Sequence, residues 1–109
     1  MSRYLLIESR DPFESGEVPY FYDLAGGLAR EGHEVTLFLV KNGVLPARPS
    51  ARAPLLTSLA REGVRVLADD FSLAERGISE AALAEGVAGA PIDRVVELLA
   101  AAETRALWH

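Results

Sequence analysis

The stretch Val64-Arg65-Val66-Leu67-Ala68-Asp69-Asp70-Phe71-Ser72-Leu73-Ala74-Glu75-Arg76-Gly77-Ile78 decides the fold. Val64 to Leu67 is a short apolar run of the kind a buried strand needs. The polar pair Asp69-Asp70 interrupts it, and Ser72-Leu73-Ala74-Glu75 then spells a capping box, predicting a loop over Asp69 to Ser72 and a short helix that opens at Ser72. Strand, polar loop and helix in that order form the unit of a parallel α/β sheet, whose ligands bind at the carboxyl ends of the strands.

The same alternation extends in both directions. Upstream, Tyr4 to Ile7 reads as the first strand. Asp11-Pro12-Phe13-Glu14 reads as a helix start, with Asp as cap, Pro at the first helical position and Glu three residues on. That helix is predicted to run to about Glu31, with Phe21, Leu24, Ala25 and Leu28 as its apolar stripe and Gly32 just beyond its end. Gly26-Gly27 inside it implies a close helix–sheet contact. Glu34 to Val40 is a strand buried on both faces, turned by Asn42-Gly43. Pro46, Pro49 and Pro54 make Val44 to Ala53 an irregular loop with at most one helical turn. A helix marked by Leu55, Leu56 and Leu59 closes at Gly63. Downstream, Ser79 to Ala84 looks helical and Gly86 to Gly89 is a short strand. Pro91 opens a last helix with Ile92, Val95, Val96, Leu99 and Ala102 on one face, and Thr104 to Trp108 is a terminal strand.

A chain of 109 residues, 50% apolar and 25% charged, suits one domain, 1–109, with its own core. The formal charge of −5 argues against nucleic acid, which demands a cationic surface; the basic residues are dispersed, with one loose group at Arg48 and Arg52. No apolar run approaches the roughly 20 residues of a membrane span, and the first apolar run is too short for a signal peptide. A cytoplasmic location is the expectation. There is one Lys against ten Arg, one Asn, no Gln and no Cys. Such a bias is expected where thermolabile side chains are depleted.

The loop at Asp69 resembles that of the DsrE/DsrF-like family, the TusD/TusC sulfur-relay relatives, whose pattern runs Ala-Cys-Gly-x-Cys-Leu-x-Ala-Arg-Gly-Ile. Counting back from Gly77 puts Asp69 and Ser72 at the two cysteine positions. The strand Gly32-His33-Glu34-Val35-Thr36-Leu37-Phe38-Leu39-Val40, the turn Asn42-Gly43-Val44, and a final helix with a closing strand extend the resemblance over nearly the whole chain. The resemblance implies a three-layer α/β/α domain with a five-stranded, mostly parallel sheet. It also implies a homotrimer or homohexamer with sites near subunit interfaces, and a cysteine-bearing DsrE-like paralogue as a partner. A cysteine in this loop accepts and passes on persulfide sulfur as its thiolate, with a pKa lowered at a helix N-terminus. Neither an Asp carboxylate nor a Ser hydroxyl forms a persulfide, so these positions exclude sulfur carriage by this chain.

The candidate ligand-binding residues are Asp11, Asn42, Asp69, Asp70, Ser72 and Arg76, from the three loops at the carboxyl ends of neighbouring strands. Asp69 and Asp70 read either as an acid/base or metal-binding pair or as a helix cap beside a solvated carboxylate. Ser72 reads as a nucleophile or, better, as the cap; no nucleophile elbow surrounds it. Arg76, four residues on, offers a cation on the same helical face or pairs with Glu75 or Glu80. The mix favours a small polar ligand with donors and acceptors over a simple anion. His33 reads as structural and His109 as frayed. Tyr20 and Tyr22 are expected to point away from the Phe21 stripe, toward a subunit interface. No phosphate-binding loop, metal constellation or cofactor motif is present. The leading expectation is a non-catalytic subunit that binds a small ligand or assembles; the alternative is a divergent enzyme using Asp69 and Asp70 for hydrolysis or proton transfer.

Overall fold

The computed structural model describes residues 2–49 and 53–109. Five strands, β1 (Arg3–Glu8), β2 (Glu34–Leu39), β3 (Arg65–Asp69), β4 (Val87–Ala90) and β5 (Thr104–Trp108), form one sheet in the order β4-β3-β2-β1-β5. All four neighbouring pairs are parallel, so the sheet is fully rather than mostly parallel. Four α-helices join them: α1 (Val18–Arg30), α2 (Ala53–Arg61), α3 (Asp70–Glu75) and α4 (Asp93–Ala100).

The strand order dictates the layers. From β1 to β4 the chain steps in one direction along the sheet, then jumps back past β1 to β5. Right-handed crossovers put helices on one face while the chain steps one way and on the other when it reverses. Accordingly Val18, Tyr22 and Ala25 of α1, Leu56 and Leu59 of α2 and Leu73 of α3 pack with Leu6, Leu37 and Val66 on one face. On the other face α4 alone supplies Val95, with Leu98 partly buried, against Leu5, Ile7, Phe38 and Leu67. The layers are three, and the second helical layer is thin.

Several local expectations are corrected. The first helix begins at Val18, because Asp11 closes only one turn: its carbonyl accepts from the amides of Glu14 and Ser15 and its Oδ1 from that of Phe13. The inward face is shifted rather than replaced: Ala25 is buried as expected and Leu28 packs half-buried against the core. Tyr22 is buried, Phe21 is half-buried and Leu24 is exposed; Tyr20 is exposed as expected. Gly26 makes its close approach to Leu59 of α2 rather than to the sheet. Gly32 ends α1 at φ 91°, a left-handed conformation that glycine adopts without strain. A 3-10 helix over Lys41–Ala47 takes in the Asn42-Gly43 turn, and its last part, Val44 to Ala47, is the one helical turn allowed to the loop from Val44 to Ala53, whereas Ser79 to Ala84 holds only the three-residue turn Glu80–Ala82. Of the α4 stripe only Val95 is buried; Ile92, Val96 and Leu99 face outward. Arg48 donates to the Leu45 carbonyl, and Arg52 lies outside the described residues. Among the described residues no helix is long and apolar enough to cross a membrane.

Candidate functional site

Strand β3 runs two residues further than its apolar run, so Asp69 is both its last residue and the cap of α3. Its Oδ2 accepts from the Ser72 amide at 3.0 Å and from the Ser72 hydroxyl at 2.7 Å. Ser72 is thus not the cap but the next link, for its Oγ accepts the Lys41 amide at 2.8 Å. That bond holds Lys41 at φ 51°, a conformation uncommon for a side-chain-bearing residue. Arg76 makes a second tie. Its Nε and Nη2 donate to Asn42 Oδ1 at 3.1 and 3.0 Å, and its Nη1 donates to the Ser72 carbonyl. Asn42 in turn donates to Glu14 at 3.0 Å.

Four of the six expected residues, Asn42, Asp69, Ser72 and Arg76, therefore form one network clamping α3 to the loop after β2. Asp11 joins only through the turn that carries Glu14. Asp70 stands in the first turn of α3, half-buried, where its charge suits the helix dipole. Asp69 and Asp70 do not form a pair, and Asp69 is committed to the helix. Its Oδ1 is shielded from solvent and has no hydrogen-bond partner among the described residues. Gly43 completes the clamp: a Cβ there would stand 2.2 Å from the Glu8 carbonyl oxygen.

The surrounding clefts divide the expected set. A polar cleft of about 270 Å³ is lined by Ser9, Arg10, Glu14, Ser15 and Asn42. A second groove, about 250 Å³, is lined by Val40, Lys41, Asp69, Phe71, Ser72, Glu75, Ile92 and Trp108. The second lies where β3 leads to a helix on one face and its neighbour β4 to a helix on the other. That crevice, between strands whose connections part to opposite faces, is where open α/β sheets bind ligands. Sequence reasoning missed Phe71, Ile92 and Trp108 here, although Phe71 sits inside the stretch that decides the fold.

A further cluster was missed at the ends of β1 and β5. His109 is not frayed: its amide donates to the Ile7 carbonyl at 2.8 Å, and Ser9 donates to its main-chain oxygen through both amide and hydroxyl. Its Nδ1 lies 2.8 and 2.9 Å from the oxygens of Glu8, which is fully buried. A carboxylate only accepts, so Nδ1 carries the proton. This contact with Glu8 raises the His109 pKa above its ordinary value, against the opposing effect of desolvation. Nearby, burial and then the charges of Glu8 and Asp11 push the Tyr22 hydroxyl well above the usual phenol range. That hydroxyl has no partner among the described residues. His33 accepts the Ser2 amide and meets Tyr4 edge-on, a structural role at the far end of the sheet. Among the described residues, no group of three or more His, Cys, Asp or Glu is arranged to hold a metal.

Comparison with known proteins fits this architecture. The fold matches the ychN protein of E. coli with a TM-score of 0.85 at 20% identity, over 98% of this chain and 100% of that one. It matches MTH1491 of Methanobacterium thermoautotrophicum, a protein of unknown function, with a TM-score of 0.86 at 17% identity over 100% of both chains. A search of curated proteins gives no match. The family model for the DsrE/DsrF-like family covers residues 2–105, and the chain belongs to that family, as a member without cysteine.

Proposed function

We propose that this chain is a cytoplasmic DsrE-like subunit, one domain over residues 1–109, that works by binding and assembly rather than by carrying sulfur. The observation that supports this is the outer face of the thin layer. Val96 and Leu99 stand exposed on α4 and Ile92 at its cap, and Phe71 and Trp108 stand exposed beside Ile92. A monomer seldom leaves so many large apolar side chains together without a use for them. The family is associated with sulfur relay, and two occupants of the α4 face fit that setting: further copies in a homotrimer or homohexamer, or a cysteine-bearing DsrE-like paralogue. The candidate ligand site comprises Asp11, Asn42, Asp69, Asp70, Ser72 and Arg76 with the adjoining groove.

Two measurements test this reading. Sedimentation velocity of the intact protein at micromolar concentration is expected to show a species heavier than one chain, because a specific association buries about 1,000 Å² or more. Incubation with a cysteine desulfurase and a labelled sulfur donor is expected to leave the intact mass unchanged. A covalent sulfur adduct, or a monomer that also ignores a cysteine-bearing relative, would overturn the reading.

A further inference from the structure

The groove at the Asp69 loop has an apolar lining and one uncommitted charge. Phe71 is 67% exposed, Ile92 52% and Trp108 68%, with Val40 beneath them. Its polar groups are otherwise occupied. Asp69 and Ser72 hold each other and the Lys41 amide. Glu75 lies 3.6 Å from the Arg76 guanidinium. Lys41, the chain's only lysine, has an exposed side chain, and its ammonium forms no ion pair or hydrogen bond among the described residues.

From this combination we propose that the groove binds a small carboxylic acid, with its apolar body between Phe71, Ile92 and Trp108 and its carboxylate on the Lys41 ammonium. The inference rests on the binding reading above and names the class of ligand. Among the described residues the groove holds one free cation beside the carboxylates of Asp69 and Glu75, which favours a single negative charge over a phosphate dianion that those carboxylates repel. A cationic ligand finds less: Glu75 already faces Arg76, and the free oxygen of Asp69 is shielded. The apolar contact supplies most of the affinity and the charge supplies selectivity.

Trp108 is the only tryptophan, so its fluorescence reports on the groove alone. The intact protein is titrated with octanoate, and with octylammonium and 1-octanol as bodies of matched length. Octanoate is expected to give a saturable change, with binding about fivefold to tenfold tighter than either control. Lys41→Met is expected to remove that advantage without weakening 1-octanol, Lys41→Arg to retain most of it, and Phe71→Ala to weaken all three ligands. Circular dichroism checks that each variant is folded; both altered side chains are exposed. No saturable change with octanoate, octylammonium binding as tightly as octanoate, or unaltered octanoate binding in Lys41→Met would each overturn the proposal. Sedimentation run in parallel separates the two readings. If the fluorescence responds to protein concentration and not to octanoate, a second copy fills the groove; the ligand class then fails while assembly stands. Octanoate binding by a monomer leaves the ligand class standing while self-assembly fails.

Discussion

Replacing Asp69 by Ala tests whether the turn from β3 into α3 is a structural clamp. The substitution removes an N-cap, worth about 1 kcal/mol. It also removes the charge-assisted acceptor of the buried Ser72 hydroxyl, worth about 1.5–3 kcal/mol. Against these stands the relief of the shielded Oδ1, unpartnered among the described residues, on the order of 1 kcal/mol. The balance is a loss of about 2 kcal/mol. A chain of 109 residues, at about 2.1 cal/mol/K of unfolding entropy per residue, loses about 4.4 °C of Tm per kcal/mol, so the expected drop is about 9 °C. Asp69→Asn keeps an acceptor for the Ser72 amide and is expected to lose less than half as much. Asp69→Ala and Ser72→Ala share one hydrogen bond, so the double variant should lose about 1 kcal/mol less than the sum. Thermal unfolding followed by circular dichroism measures the parent and all four variants. An Asp69→Ala variant within about 2 °C of the parent, or strict additivity of the pair, would refute the clamp.

Gly43→Ala drives a Cβ into the Glu8 carbonyl oxygen, a main-chain atom that cannot swing aside; a loss of about 3 kcal/mol or more in urea unfolding is expected, and a mild effect would contradict the close approach. Tyr22→Phe deletes a buried hydroxyl without a partner among the described residues and should leave stability equal or higher by about 1 kcal/mol, whereas a clear loss would contradict that reading. The raised pKa of His109 makes its pairing with Glu8 fully stabilising below about pH 6.5, the unfolded value, and progressively lost as pH rises through the folded one. Urea midpoints across that range should therefore fall more steeply in the parent than in His109→Gln. Equal slopes would mean that the pair does not couple to folding.

How much of this was legible depended on whether the signal was local. The strand Thr104–Trp108 and the end of α1 before Gly32 agree with the sequence reading, the latter because a left-handed glycine is a local signal. Asp11-Pro12 was misread because a one-turn cap and the start of a long helix use the same letters. The capping of α3 was assigned to Ser72 because Ser-x-x-Glu fits the pattern, yet Asp69-x-x-Ser72 fits a cap equally well, and only the true end of β3 chooses between them. Phe21 displaced Tyr22 in the reading because both stripes have helical period and a hydroxyl looks like a surface group; the later start of α1 turned the other one inward. His109 looked loose because its partners, Glu8 and the ends of β1, are about 100 positions away. The candidate loop residues were legible one by one. That they satisfy one another, leaving the groove to Phe71, Ile92 and Trp108, follows from the strand order, which no local pattern encodes.

The outer stripe of α4 is the clearest instance, since its spacing is that of a core helix while Ile92, Val96 and Leu99 stand open. The most direct test of binding and assembly is sedimentation equilibrium of the parent beside Val96→Glu/Leu99→Glu, in which two exposed apolar side chains of that stripe become charged. The account predicts a parent heavier than one chain, and a variant that sediments as a single chain with an unchanged far-ultraviolet spectrum. A parent that stays monomeric at tens of micromolar, or a variant that assembles as the parent does, would contradict it.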